Sequence, residues 1–287
     1  MKNLNINIGS YEEIIAMKAK DKKIQKKAQS GGCVTALLIY ALEKDIIDGA
    51  VLTATINREK TLQTEPIIAT TKKEILKAAK SKFTVCPTIS VLKEATRKYG
   101  LEKIGTVNLP CQVRGIRKMQ SYPLATRFIK KNIALILGIF CTATLSNDAF
   151  DTLIKEKAKV KPIEVTKISI LEKELRISTD EKDIYIPSEQ VIGYQQSGCD
   201  VCKDYTSKYS DISMGNVGSP DGWSTVIKRT SKGSKILEAA INDDIFEVEP
   251  ITDGFNIIEK HAKIKKELNQ KNIDKKLELG LTIPYIE

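Results

Sequence analysis

Histidine is almost absent: His261 is the only one in 287 residues. A Ser-His-Asp triad, a histidine-rich metal site and a histidine general base are poor fits to such a chain. Aromatic residues are scarce at 6%, with one tryptophan, and no segment carries the basic-aromatic signature of a common RNA module. Glycine and proline number only 16 and 9 beside 41% hydrophobic residues, which excludes collagen-like, low-complexity and disordered classes. No apolar run reaches the ~20 residues that span a bilayer. The longest, Ile133 to Leu145, is short and broken by polar positions, so no membrane insertion is expected. The opening MKNLNINIGSYEE lacks the apolar core of a secretory signal, and a cytoplasmic location is expected.

Acidic residues are the minority charge, 36 against 46 basic ones, for a net +10. A surplus of lysine suits a solvated surface or the steering of an anionic ligand. With so few aromatics it fits an anionic cofactor better than base readout, and no nucleic-acid partner is expected. At ~150 residues per domain the length allows one large domain or two small ones. That is enough chain to bury a core without disulfides.

Six cysteines are present, and without a secretory signal they point to metal or redox chemistry. Cys199-Asp200-Val201-Cys202 brings two thiolates within reach of one centre; such a pair fits zinc, an iron–sulfur cluster or a redox dithiol. Cys111 and Cys141 each follow an apolar strand. If those strands are parallel neighbours, both sulfurs lie at one sheet edge, where open α/β sheets bind ligands. Cys111 also opens a helix, whose dipole favours thiolate. One close pair with two distant singles departs from the two close pairs usual for structural zinc. Three readings stay open on spacing alone: a cluster built into an enzyme, zinc, or unrelated buried thiols. Cys33 and Cys86 read as small buried residues.

Periodicity predicts a lysine-rich helix over 11–28, then helices over 34–42, 71–80, 89–99, 112–120 and 148–157. Strands are predicted at 46–53, 104–109 and 133–140. This alternation implies a sheet with parallel pairs. Residues 163–188 read as an antiparallel meander. Two short strands near 211–215 and 224–229 flank a glycine-rich loop, and 256–279 reads as a long lysine-rich helix packing on this chain or a partner. The fold class expected is α+β, or mixed α/β: a parallel-containing sheet with helices, an antiparallel meander and a C-terminal helix. No internal repeat is present.

Two glycine-bearing segments stand out. Ser30-Gly31-Gly32-Cys33-Val34-Thr35 lies at a helix start, where free N–H groups bind phosphate and the hydroxyls of Ser30 and Thr35 add donors. It does not match the dinucleotide fingerprint and no clear strand precedes it, so on its own a plain turn followed by a helix is the better reading. Gly215 to Thr225 packs three glycines, Pro220 and Trp223 into eleven residues. That is too specialised for a solvent turn: a flavin or deazaflavin ring could lie against it, and a hairpin with a buried tryptophan is an equal reading.

Six segments together resemble the beta subunits of coenzyme F420-reducing hydrogenases and their dehydrogenase relatives. They are QSGGCVTALLIYAL (29–42), SKFTVCPTISVLKEA (81–95), the PCQ-x-x-GIRKMQ stretch (110–120), GIFC (138–141), GCDVCKDY (198–205) and DISMGNVGSPDGWSTV (211–226). The ending QKNIDKKLELGLTIPYIE is also similar. The resemblance implies FAD and one [4Fe–4S] cluster, with Cys111, Cys141, Cys199 and Cys202 at the cluster positions. It implies flavin contacts near Ser30, Gly31, Gly32, Thr35, Lys82, Gly218, Ser219, Pro220, Asp221, Gly222 and Trp223. It further implies hydride exchange between coenzyme F420 and FAD, with single electrons passing to or from a nickel–iron large subunit and an iron–sulfur small subunit. The expected domains are 1–88 with the glycine-rich loop, 89–253 with flavin and cluster, and a helical tail 254–287. One departure is visible: Ala143 and Thr144 stand where the family usually has Glu-Asn. The lack of a ferredoxin extension favours a hydrogenase partner over formate dehydrogenase or another coenzyme F420 oxidoreductase. A zinc-stabilised basic binding module is the rival of a different class.

Overall fold

The computed structural model describes residues 2–58, 61–122, 127–170 and 174–283. Residues 171–173, in the meander, and the last four residues of the C-terminal motif fall outside that description.

The chain opens with a hairpin, β1 (Asn3–Asn5) and β2 (Gly9–Tyr11). Next come β3 (Glu13–Ala19), α1 (Lys22–Lys27), α2 (Cys33–Glu43), β4 (Gly49–Arg58), β5 (Thr61–Ala69) and α3 (Lys72–Lys77). A 3-10 turn leads into α4 (Leu92–Arg97), β6 (Ile104–Asn108), α5 (Pro110–Ser121), α6 (Arg127–Asn132), β7 (Ile133–Ile139) and α7 (Asn147–Thr152). The meander is β8 (Lys167–Ile170), β9 (Glu174–Ser178) and β10 (Asp183–Pro187), followed by α8 (Glu189–Ile192). The chain continues with β11 (Ile212–Gly215), β12 (Ser224–Lys228), α9 (Ser231–Asn242), β13 (Phe246–Pro250) and α10 (Gly254–Glu278).

Eight strands form one sheet in the order β13-β3-β12-β11-β7-β6-β4-β5. The centre is parallel: β6 pairs with β4 and β7, and β7 with β11. These strands are buried on both faces, and their side chains alternate between two cores. Leu135 and Leu137 face α2 and α9, whereas Ile136 faces α4, α5 and α6. The meander builds a separate small core with α7. Strands on both sides of the 88/89 boundary share the main sheet. The fold is thus mixed α/β, with an antiparallel meander and a long C-terminal helix. Among the described residues no helix is long and apolar enough to cross a membrane.

The helix expected over 11–28 is wrong for its first half. EIIAMKA is strand β3, paired antiparallel with β12 on one side and β13 on the other. Ile15, Met17 and Ala19 are buried, and Lys18 meets Glu247 at 2.8 Å. The lysines hid a period of two behind a composition that suits helix. The helix expected over 148–157 also changes character: α7 ends at Thr152 and widens into a π turn over Leu153–Lys157. Strands β5 and β13 and helix α9 lie outside the elements that periodicity predicts. β5 carries Pro66 and lies at the sheet edge, where a missing N–H is tolerated.

Candidate functional site

The parallel pairing sets Val107 opposite Leu137 and Asn108 opposite Gly138, so β6 and β7 end together. Cys111 therefore starts α5, and Cys141 leaves β7, at the same carboxyl edge of the sheet. Cys111 is exposed, and Cys141, Cys199 and Cys202 are half-buried. Cys199 and Cys202 sit on a 3-10 turn, Ser197–Val201, that the Cys202 N–H closes onto the Cys199 carbonyl at 3.2 Å.

What brings that turn to the sheet edge is the loop after Cys141. The Leu145 N–H donates to the Phe83 carbonyl at 2.8 Å, and the N–H groups of Ser146 and Gln196 cross-link it to 194–196 at 3.1 and 2.8 Å. Cys141 itself donates its N–H to the Tyr205 carbonyl at 2.9 Å. Thr144, one of the two departures from the family pattern, meets the Cys199 sulfur: its N–H at 3.4 Å and its hydroxyl at 3.6 Å.

The four thiols feel one another. Burial is the largest cause raising the Cys111 thiol, followed by the charges of Cys202 and Cys199. Burial pushes Cys141 up to about 12; the Lys265 ammonium opposes this, and the other three thiols add to it. No carboxylate contributes to either shift. An all-thiol donor set of this kind suits zinc or an iron–sulfur cluster. Among the described residues no three His, Cys, Asp or Glu side chains are drawn together around a single metal ion.

Helix α10 supplies residues that composition alone leaves on a solvated face. Lys265 and Asn269 are buried. Lys265 Nζ donates to the carbonyls of Cys141 at 2.6 Å and Asp204 at 2.9 Å. Asn269 Nδ2 donates to the carbonyls of Cys199 at 2.8 Å and Cys202 at 2.7 Å. Asn272 reaches the Asp200 carbonyl at 3.3 Å. The signal for these was the i, i+4, i+7 spacing of Lys265, Asn269 and Asn272, one stripe of a helix.

The two glycine segments meet one another at the same edge. Ser224, the first residue of β12, lies 3.0 Å from the Ser30 hydroxyl and accepts the Gly31 N–H at 3.1 Å. Gly31 is required here: a Cβ would stand 2.5 Å from the Met17 carbonyl oxygen. Gly32 caps α2 in the left-handed region, φ 76°. The first N–H groups of α2 have no partner within the helix. Thr35 is buried in the first turn of α2, and Cys33 donates its thiol to the Met17 carbonyl at 3.2 Å. Burial pushes the Cys33 thiol up to about 12, and Cys86 is likewise buried and raised. Trp223 is half-buried, with Lys18 Nζ 4.5 Å from its ring centre. Ser219 is half-buried, and Pro220, Asp221 and Gly222 are exposed.

Lys82 stands apart. It is half-buried and donates to the carbonyls of Ala78, Ala79 and Lys80, the latter two at 2.8 Å. Burial pulls its ammonium down to about 8. Among the described residues no hydrogen bond or ion pair joins it to either glycine segment; its neighbour Phe83 ties it to the loop after Cys141.

One stretch joins the two groups. The Phe140 N–H donates to the Met214 carbonyl at 2.9 Å, so the Gly215–Thr225 loop begins beside Cys141. It ends at Ser224, against Ser30 and Gly31. In between, Thr225 holds the Val217 carbonyl at 2.8 Å. Gly218, at φ 91°, lets the loop pass α10, where a Cβ would stand 2.7 Å from the Gly254 carbonyl oxygen and from Ile258.

Comparison with known proteins gives a consistent picture. Residues 14–93 match the N-terminal model of the family "Coenzyme F420 hydrogenase/dehydrogenase, beta subunit", and residues 101–254 match the model for the C terminus of that same family. The chain is 42% identical to the coenzyme F420 hydrogenase subunit beta of Methanothermobacter thermautotrophicus, across 97% of this chain and 99% of that one. It is 38% identical to the protein of the same name from Methanosarcina barkeri, across 97% and 98%. A chain of the solved F420-reducing [NiFe] hydrogenase complex of Methanosarcina barkeri superposes with a TM-score of 0.95 at 36% identity, covering 99% of this chain and 100% of that chain.

Proposed function

The chain belongs to the coenzyme F420 hydrogenase/dehydrogenase beta subunit family, and on that premise we propose that it is the coenzyme F420-handling subunit of a nickel–iron hydrogenase. In this reading it is an oxidoreductase subunit that works in the cytoplasm beside a nickel–iron large subunit and an iron–sulfur small subunit. FAD is held at the glycine segments. A [4Fe–4S] cluster is held by Cys111, Cys141, Cys199 and Cys202.

The observation that carries this reading is the Gly215–Thr225 loop, which begins beside Cys141 and ends against Ser30 and Gly31. A cofactor lying on that loop is next to the cysteines at one end and to the N-terminus of α2 at the other. When bound, the cofactors supply hydride exchange between coenzyme F420 and FAD, and one-electron relay through the cluster. The chain's own residues do the rest. The first N–H groups of α2 and the Ser30 hydroxyl receive phosphate. Trp223, under Lys18, closes one side of the site to water. Lys82 offers a positive charge below about pH 8. Lys265 faces the thiolates with positive charge, and no histidine is needed to move a proton.

The family also includes dehydrogenase subunits. Ala143 and Thr144, standing where Glu-Asn is usual, make those partners the second place to look. The division of the chain at 88/89 and 253/254 belongs to the same proposal.

The test is an anaerobic absorbance spectrum of the purified chain, with iron, zinc and flavin assays and a titration with reduced coenzyme F420. Flavin bands over a broad iron–sulfur shoulder, bleached by the reduced coenzyme, with about four irons per chain, are expected. A colourless zinc protein unaffected by the coenzyme would overturn the reading in favour of a basic binding module.

A further inference from the structure

Beside the cysteines, Lys265 is a buried cation whose hydrogen-bond partners are carbonyls. It is 6% exposed. Its ammonium donates to the carbonyl of Cys141 at 2.6 Å and to that of Asp204, two residues past Cys202, at 2.9 Å. Neither partner is an anion, so its charge is not consumed by an ion pair at those contacts. The nearby Asp204 carboxylate turns instead to the Lys208 N–H, at 3.0 and 3.2 Å, and feels the buried Arg229 more strongly than Lys265. One turn further along α10, Asn269 grips the Cys199 and Cys202 carbonyls. The helix thus ties together the two separate segments that carry three of the four cysteines. A carbonyl clamp alone would need only a neutral donor, as Asn269 shows. Burying an ammonium is costly without an anion to offset it.

We propose that the anion is the cluster, and that Lys265 raises its reduction potential by holding a fixed positive charge against it. This inference rests on the assignment of a [4Fe–4S] cluster to the four cysteines. Reduction adds one electron to the cluster, and so one negative charge; a buried cation beside it stabilises that reduced form. Screening by salt is weak at a buried position, so the effect persists at high ionic strength.

Lys265→Gln and Lys265→Arg separate charge from hydrogen bonding, since Gln keeps a donor and Arg keeps both. The wild type and both variants are prepared anaerobically as full chains and assayed for iron. Their clusters are then titrated with dithionite and followed by electron paramagnetic resonance. In Lys265→Gln the ratio of reduced to oxidised cluster at fixed potential is expected to fall about tenfold, a lowering of about 59 mV for a one-electron couple. Lys265→Arg is expected to stay near the wild type. Equal potentials in Lys265→Gln and wild type, at equal iron, would overturn the proposal. If Lys265→Gln fails to hold iron while Lys265→Arg holds it, the charge is needed to hold the cluster at all rather than to tune it, and the proposal falls. If both variants lose iron, Lys265 serves packing and the proposal falls. A wild type without iron would instead refute the cluster assignment on which it rests.

Discussion

The cysteine corner and the glycine corner lie along one sheet edge but are built by opposite means. Around the cysteines, polar side chains from a distant helix hold the backbone in place. Lys265, Asn269 and Asn272 reach carbonyls at Cys141, Asp204, Cys199, Cys202 and Asp200. At Gly31 the geometry comes from lacking a side chain, with the Ser224 hydroxyl receiving its N–H. The first corner is suited to a compact charged group that must stay put. The second leaves backbone N–H groups at the start of α2 beside a half-buried tryptophan, which suits a larger ligand that lies along a surface. The difference teaches where each site is vulnerable: one to loss of a ligand or charge, the other to the addition of a methyl group.

The largest effect that would sharpen this contrast comes from Cys202→Ser. Iron content is expected to drop to background while FAD stays bound, because the Cys202 hydrogen bonds run to Cys199, Asp204 and Asn269 and not to the glycine segments; joint loss of both cofactors would break the distinction. Gly31→Ala is expected to do the reverse. Its methyl group collides with the Met17 carbonyl, costing about 1–3 kcal/mol in urea unfolding, and FAD is lost while iron remains. A variant that bound both normally would show that this close approach is dispensable.

A smaller effect concerns Lys82. Burial lowers its ammonium to about 8, so the charge is present below that pH and absent above it. An anion bound beside it keeps the proton to higher pH. The affinity for FAD is therefore expected to be flat below about pH 8, to fall as pH rises through it, and to level off once the complex deprotonates too. In Lys82→Met the decline disappears. Because Lys82 is tied to the loop after Cys141 rather than to Gly31, an unchanged pH profile in that variant would assign it to the cysteine corner alone. The smallest effect is salt dependence: added salt is expected to weaken coenzyme F420 binding modestly if exposed lysines steer the anion.

Much of the parallel core was legible because its signals are local. Apolar runs ending at Cys111 and Cys141 marked β6 and β7, and the apolar stripe from Val34 to Leu42 marked α2. β3 is hidden in the sequence because Lys18 and Lys20 imitate a surface helix. Only the strands on either side make EIIAMKA a strand, since two ladders of backbone hydrogen bonds outweigh a weak helical preference. In the candidate site the thiols and glycines could be named from residue type and motif. The role of α10 could not. A lysine and two asparagines in a lysine-rich helix look solvated until the Cys199–Cys202 turn is laid against them.

The sequence by itself determined the chemistry available: six thiols, one histidine, two glycine segments and a surplus of lysine. It also determined the strand–helix alternation that makes a parallel centre, because hydrophobic period is a property of neighbouring residues. Tertiary structure alone decided that β6 and β7 end side by side, that Ser224 closes on Gly31, and that Lys265 is buried beside Cys141. These depend on segments as far apart as 193 residues. Burial and a carbonyl's demand for a donor, rather than local pattern, fix which of them meet.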